Sequence, residues 1–348
     1  MQIPDSKSLP VNLLAACFNN TVATYKYYWF LSVIQEIEKG NFVIQKRNLF
    51  ARMISNAWYT VNYFHVSFGK QDLIQEAVHF IKESEKITID EEKEKVFQKI
   101  ISSKNKQTEK QIWHFNKNVP HWFLSPWFPK TNQWDVYRKS KAFDNECLYA
   151  LDRDEIEINP RWKYYLIANA GILKDFCYWN LALFLQSRNP NVPDIPNKLI
   201  KSAKRKKLED QKKYFWNPVI SELGNLHCIY TGDEITVGNY DLEHFIPHSF
   251  VSHNLIWNLI PANRSFNRTK LDKLPPLDKY FKAFYELQKS AVEIIRVKTP
   301  KNKYLEDYLT ILPDYTQSFT ESRFRETIQP LITIASNNGF EFLHESIQ

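Results

Sequence analysis

Glycine constrains this chain most by its scarcity. It occurs 7 times in 348 residues, where average usage is roughly 7%. Glycine supplies the left-handed backbone of tight turns and the bare backbone of phosphate loops. Its scarcity argues against a large sheet protein, and neither GxGxxG nor GxxxxGK[ST] occurs. Hydrophobic residues make up 43% and aromatics 15%, so collapse is well supplied and disorder is excluded over most of the length. Single cores stop growing near ~250 residues, so a chain this long is comfortable as more than one domain.

Periodicity points to helices. In TVATYKYYWFLSVIQEIEKG the apolar residues Tyr27, Phe30, Leu31, Ile34 and Ile37 fall at helical spacing, with Gly40 placed as a stop. RNLFARMISNAWYTVNYF repeats the pattern at Leu49, Met53, Ala57 and Val61. Residues 82–110 are highly charged and read as a surface helix followed by a polar loop. NVPHWFLSPWFPKTNQW, residues 118–134, carries three prolines among aromatics without periodicity, which excludes a regular helix. Its aromatics have two readings, packing on the helical core or stacking on bases, and packing is the first expectation. A helical pair follows in NPRWKYYLIANAGILKDFCYWNLALFLQSRN, then a proline-rich break at 189–196. Helical periodicity returns after residue 275. The fold class expected is mainly α-helical with one small embedded α+β module. The segments are 1–215 (a helical recognition or partner domain), 216–275 (the module) and 276–348 (helices packing on the rest).

Charge is concentrated. The net charge is +7, from 46 basic and 39 acidic residues. KLIKSAKRKKLEDQKK (198–213) holds eight Lys or Arg against Glu209 and Asp210. Lys204, Arg205, Lys206 and Lys207 form its centre, which reads either as a solvated linker or as a footprint for a phosphate backbone. Cys17, Cys147, Cys177 and Cys228 form no CxxC, so neither a disulfide framework nor a four-thiolate zinc site is written here. With no apolar run near the ~20 residues of a membrane span and no signal-peptide build, a cytoplasmic location without a membrane partner is expected.

Between the helical parts, HCIYTGDEITVGNYDLEHFIPHSF alone shows strand character and turn chemistry, with a turn at TGDEI and a strand from Asp241 ended by Pro247. WNLIP reads as a second strand and ANRSFNRTKLDK as a helix. A hard divalent cation needs oxygen ligands, which Glu243 and the amide carbonyl of Asn267 can supply. Neighbours on a strand point to opposite faces, which separates Glu243 as metal ligand from His244 as a base for water.

The pattern CIYTGDEI, LEHFIPHSF, NLIP, NRSFNRTK resembles the HNH endonucleases, ββα-metal nucleases that include homing and restriction enzymes and one cutting domain of CRISPR guide-RNA-directed nucleases. The resemblance spans about 227–273. It implies His244 as general base, Glu243 and Asn267 as metal ligands, and Asn258 as the brace of the loop holding the base, a catalytic-site position. Arg264, Arg268 and Lys270 take positions that meet phosphate. The acidic ligand is Glu where Asp is commoner. The CxxC positions of zinc-bearing relatives hold Cys228 with Thr231 and Asn263 with Phe266, so no structural zinc is expected and packing by Phe266 and Trp257 replaces it. His227 reads as structural, His248 and His253 as loop or nucleic-acid contacts. The resemblance implies Mg²⁺-dependent DNA hydrolysis, with Mn²⁺ as a substitute, in a restriction or phage-defence effector. RNA as substrate, a non-catalytic nucleic-acid-binding subunit, a partner protein on the helical region and a homodimer are the alternatives.

Overall fold

The computed structural model describes residues 2–19, 21–200 and 207–343. The chain forms two compact units, Met1–Pro190 with Ile195–Ala203, and Asn191–Asp194 with Lys204–Gln348.

The first unit contains helices α1 (Val11–Ala16), α2 (Tyr25–Glu38), α3 (Lys46–Asn62), α4 (Leu73–Ser84), α5 (Lys93–Ser102), α6 (Lys106–Trp113), α7 (Pro120–Phe123), α8 (Gln133–Lys141), α9 (Pro160–Ala168), α10 (Ala170–Arg188) and α11 (Ile195–Ile200). The aromatic periodicity of α2 and α3 buries Trp29, Phe30, Phe50 and Trp58 completely, each contributing roughly 1.5–3 kcal/mol of transfer free energy. Gly40, at φ +85°, ends α2 as expected. Side-chain caps start the more polar helices: Asp72 accepts from the Ile74 amide (3.0 Å) at α4, Asn105 from Gln107 (2.9 Å) at α6, and Asn159 from Arg161 (3.0 Å) at α9.

Two features depart from the sequence expectations. The polar loop expected near 103–110 is largely helix α6, because the Asn105 cap satisfies its first turn while Thr108 and Ile112 bury one stripe. Strand structure is also not confined to the segment around residue 240. Strands β1 (Val43–Gln45), β2 (Tyr149–Leu151) and β3 (Glu155–Ile158) form an antiparallel sheet of order β1-β3-β2, with Ile44 opposite Ile156 and Tyr149 opposite Ile158. In 118–134, Phe123, Trp127 and Phe128 pack inward, whereas Trp122 and Trp134 stay exposed.

The second unit opens with α12 (Glu209–Gln211), a widened turn over Lys212–Trp216, and α13 (Asn217–Leu223). A hairpin of β4 (Leu226–His227) and β5 (Glu234–Ile235) precedes β6 (Asp241–His244), α14 (His248–Val251), a 3₁₀ turn at Ile256–Asn258, β7 (Leu259–Ala262) and α15 (Arg264–Lys270). Helices α16 (Leu277–Lys298), α17 (Tyr315–Ser318) and α18 (Glu321–Asn337) complete it, with a 3₁₀ run at Lys303–Thr310. No helix among the described residues is long and apolar enough to cross a membrane.

Candidate nuclease centre

Strands β6 and β7 pair antiparallel, with Glu243 opposite Ile260 and His244 opposite Leu259. Leu242, Glu243 and His244 are all buried, so the strand is covered on both faces and lacks the in-out alternation of a half-exposed strand. α15 begins after β7 because the Asn263 side chain caps it, accepting from the amides of Ser265 (2.8 Å) and Phe266 (3.2 Å).

Glu243 and His244, each 2% exposed, meet different side-chain partners. The Glu243 Oε1 atom accepts from Lys270 Nζ at 2.7 Å, and the same ammonium donates to the His244 carbonyl at 2.8 Å. On the imidazole, His244 Nε2 lies 3.0 Å from Asn254 Oδ1, and its ring centroid is 5.2 Å from that of His248. In the tautomer that donates Nε2–H to Asn254 Oδ1, Nδ1 is the deprotonated nitrogen.

Asn258 is fully buried and clamps the turn after His244 with both ends of its amide. Its Oδ1 accepts from the Ile246 amide and its Nδ2 donates to the Ile246 carbonyl, each at 2.8 Å. Its own carbonyl accepts from Phe245 N at 2.8 Å. Three bonds from one residue therefore fix the chain leaving β6.

Asn267 is half-buried on α15, three residues before Lys270. Residues at i and i+3 share a helix face, so Asn267 and Lys270 lie on one side of α15. Among the described residues, no group of three or more His, Cys, Asp or Glu side chains gathers as a metal site. A carboxylate with an amide oxygen is a donor pair that suits a hard cation keeping most of its waters.

The phosphate positions divide. Arg264 and Arg268 are exposed, and the Arg264 guanidinium donates to the Gly238 carbonyl. Lys270 is fully buried and not phosphate-facing here, because its aliphatic stem carries the ammonium inward to neutralise Glu243. Lys204, Arg205 and Lys206 lie outside the described residues, and Lys207 is exposed. At the end of the basic block, Lys212 pairs with Asp241 at 3.0 Å, tying that segment to the start of β6.

At the expected zinc-replacement positions, Tyr230 stacks on Phe266 with centroids 4.5 Å apart. The Asn263 amide approaches Cys228 Sγ at 3.4 Å and its Nδ2 donates to Asp233 at 2.8 Å. Trp257 packs elsewhere: its indole donates to Thr310 Oγ1 at 3.1 Å and its ring lies against His253. His227 is exposed on β4. Asn254 went unread in the sequence, where nothing marks it.

Residues 228–276 match the family model described as HNH endonuclease. A 59-residue stretch is 39% identical to "CRISPR-associated endonuclease Cas9" of Listeria innocua serovar 6a, covering 16% of this chain and 4% of that protein. No solved structure matches the chain.

Proposed function

We propose that the second unit hydrolyses phosphodiester bonds in DNA, with His244 as general base and with Glu243 and Asn267 as the oxygens that hold a Mg²⁺ or Mn²⁺ ion. The observation that carries the reading is the double clamp of Asn258 on Ile246, which fixes the histidine-bearing turn as a general base requires. In the tautomer that donates Nε2–H to Asn254, Nδ1 would be the nitrogen that takes a proton from water. A bound divalent ion would supply charge stabilisation at the scissile phosphate and the departing oxygen. Arg264 and Arg268, exposed on α15, are placed to meet the flanking backbone. Because His244 is almost fully covered, the segment carrying His248 and Asn254 must yield before a phosphate reaches the imidazole.

A second reading, a nucleic-acid-binding unit without cleavage, is favoured by the Lys270 ammonium, which occupies the carboxylate the cation would need. One experiment separates the readings. Purified protein is incubated with matched DNA and RNA in Mg²⁺ or Mn²⁺, beside His244→Ala. Cleavage of DNA by wild type and none by the variant supports the proposal. Cleavage of RNA alone changes the substrate, and equal cleavage by His244→Ala removes the site. Binding with no cleavage by either protein supports the second reading. A defence role rests on the resemblance alone, and is tested by phage plating on cells carrying wild type or His244→Ala.

A further inference from the structure

The proline-rich stretch at 118–134 leaves two aromatics, Trp122 and Trp134, outside the core. Trp122, on α7, is 56% exposed although its neighbours His121 and Phe123 are buried. It stands where two concavities of the first unit meet. One, of about 800 Å³, is lined among others by Tyr25, Lys26, Gln71, Asn118, Trp122 and Ser125. The other, of about 410 Å³, is lined among others by Lys117, Asn118, Trp122, Ser125, Lys130 and Gln133. Asn118, Trp122 and Ser125 belong to both.

The charged side chains that line the two concavities have one sign. The described lining residues of the two concavities include Lys26, Lys117 and Lys130 and no carboxylate. Of the acids nearest in sequence, Glu76 on α4 is exposed and acts on Tyr25, while Asp72 and Asp135 are engaged. Asp72 accepts from the amides of Thr24 and Ile74, and Asp135 pairs with Arg138 at 3.1 Å. Lys26 is half-buried, and burial holds its ammonium below the ordinary lysine value. An accessible indole face between cationic, amide-lined hollows matches what single-stranded nucleic acid requires: a platform for an unpaired base, with cations for the phosphates on either side.

We infer that this face of the first unit binds a single-stranded segment of nucleic acid, stacking one unpaired base on Trp122 and placing its flanking phosphates by Lys26, Lys117 and Lys130. The inference rests on the reading that the chain acts on nucleic acid, and it gives the first unit a substrate-holding role. Stacking on an indole is tolerant of base identity, so the site discriminates paired from unpaired strands and not one sequence from another.

The test uses the full chain in EDTA, with anisotropy of fluorescein-labelled 12-nucleotide DNA and RNA strands, their duplexes, and a mononucleotide as competitor. Trp122→Ala should weaken single-strand binding roughly 5- to 100-fold, the range for losing one stacked base, and Trp122→Phe should recover most of it. Trp179→Ala, at a half-exposed tryptophan on α10, should leave binding unchanged. The pair Lys117→Gln and Lys130→Gln should lower the salt slope by about 1.4, at roughly 0.7 per lost single-strand contact. Single-strand binding unaltered by Trp122→Ala overturns the inference, as does a site saturated equally well by the mononucleotide. Failure here leaves the nuclease reading intact if His244 still governs cleavage. Binding through Trp122 with no cleavage of any substrate sinks the nuclease reading alone.

Discussion

Lys270→Met is the sharpest perturbation of the nuclease centre. The lysine is fully buried and its Nζ bridges Glu243 Oε1 at 2.7 Å and the His244 carbonyl at 2.8 Å. Methionine keeps most of the stem volume and removes the charge. Glu243, 2% exposed, then loses the Lys270 ammonium that helps offset its desolvation. Breaking a buried pair from one side destabilises by about 3–5 kcal/mol. For a unit near 150 residues, each kcal/mol moves Tm by roughly 2–4 °C, so the transition of the second unit should fall by about 6–20 °C in calorimetry. The double variant Lys270→Met with Glu243→Gln should regain most of the loss, because removing both charges removes the uncompensated one.

The same variant also tests for metal. If Glu243 and Asn267 form the cation site, removing the competing ammonium should strengthen Mg²⁺ binding. At a hundredfold excess over Kd the ion should return about 2.7 kcal/mol of stability. The melting temperature of Lys270→Met should therefore rise with Mg²⁺ more than that of wild type, and titration calorimetry should show the tighter site. A Lys270→Met protein that melts within about 2 °C of wild type would refute the buried-pair argument. One that is destabilised but indifferent to Mg²⁺ would refute the cation site.

Asn258→Ala strands the Ile246 amide and carbonyl in the interior and should cost about 2–5 kcal/mol by urea denaturation; a loss under about 1 kcal/mol would mean that the turn re-pairs without it. Burial raises the Asp307 carboxyl above its ordinary value, while the Ile256 amide bond pulls it down. A raised carboxyl contributes stability that is present below its unfolded value of 3.8 and is lost as pH rises through the folded value. Asp307→Asn keeps an acceptor for Ile256 and should flatten that decline, so equal slopes of urea midpoint against pH, from about 4 to 7, would rule the assignment out. A chain truncated after residue 275 should lose the cooperative melt of the second unit, and a sharp surviving transition would show that the motif folds alone.

The helices were legible where aromatic spacing is strong, as in α2 and α3, because a core-facing stripe repeats at the helical period. The sheet β1-β3-β2 was not, since strands of three or four residues are too short to display a period. α6 was missed because its helix rests on a cap and a narrow buried stripe in a charged stretch. At the site, the spacing of Glu243, His244, Asn258 and Asn267 falls inside the stretch that matches the HNH endonuclease family model, and the Asn258 side chain bonds the turn after His244. Lys270 was misplaced for a physical reason. Lysine type alone reads as surface, and only the position of Glu243 across from α15 makes burial of the ammonium favourable.

The motif is too small to hold itself. Domains near its 49 residues (228–276) rarely bury enough surface without a metal, disulfides or a partner, and here other parts of the second unit supply the missing support. The Phe245 ring, next to His244, stacks on Phe284 of α16 with centroids 3.8 Å apart and planes within 2°. Gln288 of the same helix donates to the carbonyls of Leu259 (2.9 Å) and Ile256 (3.3 Å), and Asp307 accepts from the Ile256 amide at 2.8 Å. These bonds fall on both sides of Asn258, the residue that clamps the histidine turn. Backbone groups buried there would otherwise go unpaired at about 1–3 kcal/mol each. The C-terminal helices therefore set the geometry of the His244 turn through Asn258, and substitutions at Gln288 or Phe284 reach His244 without touching it.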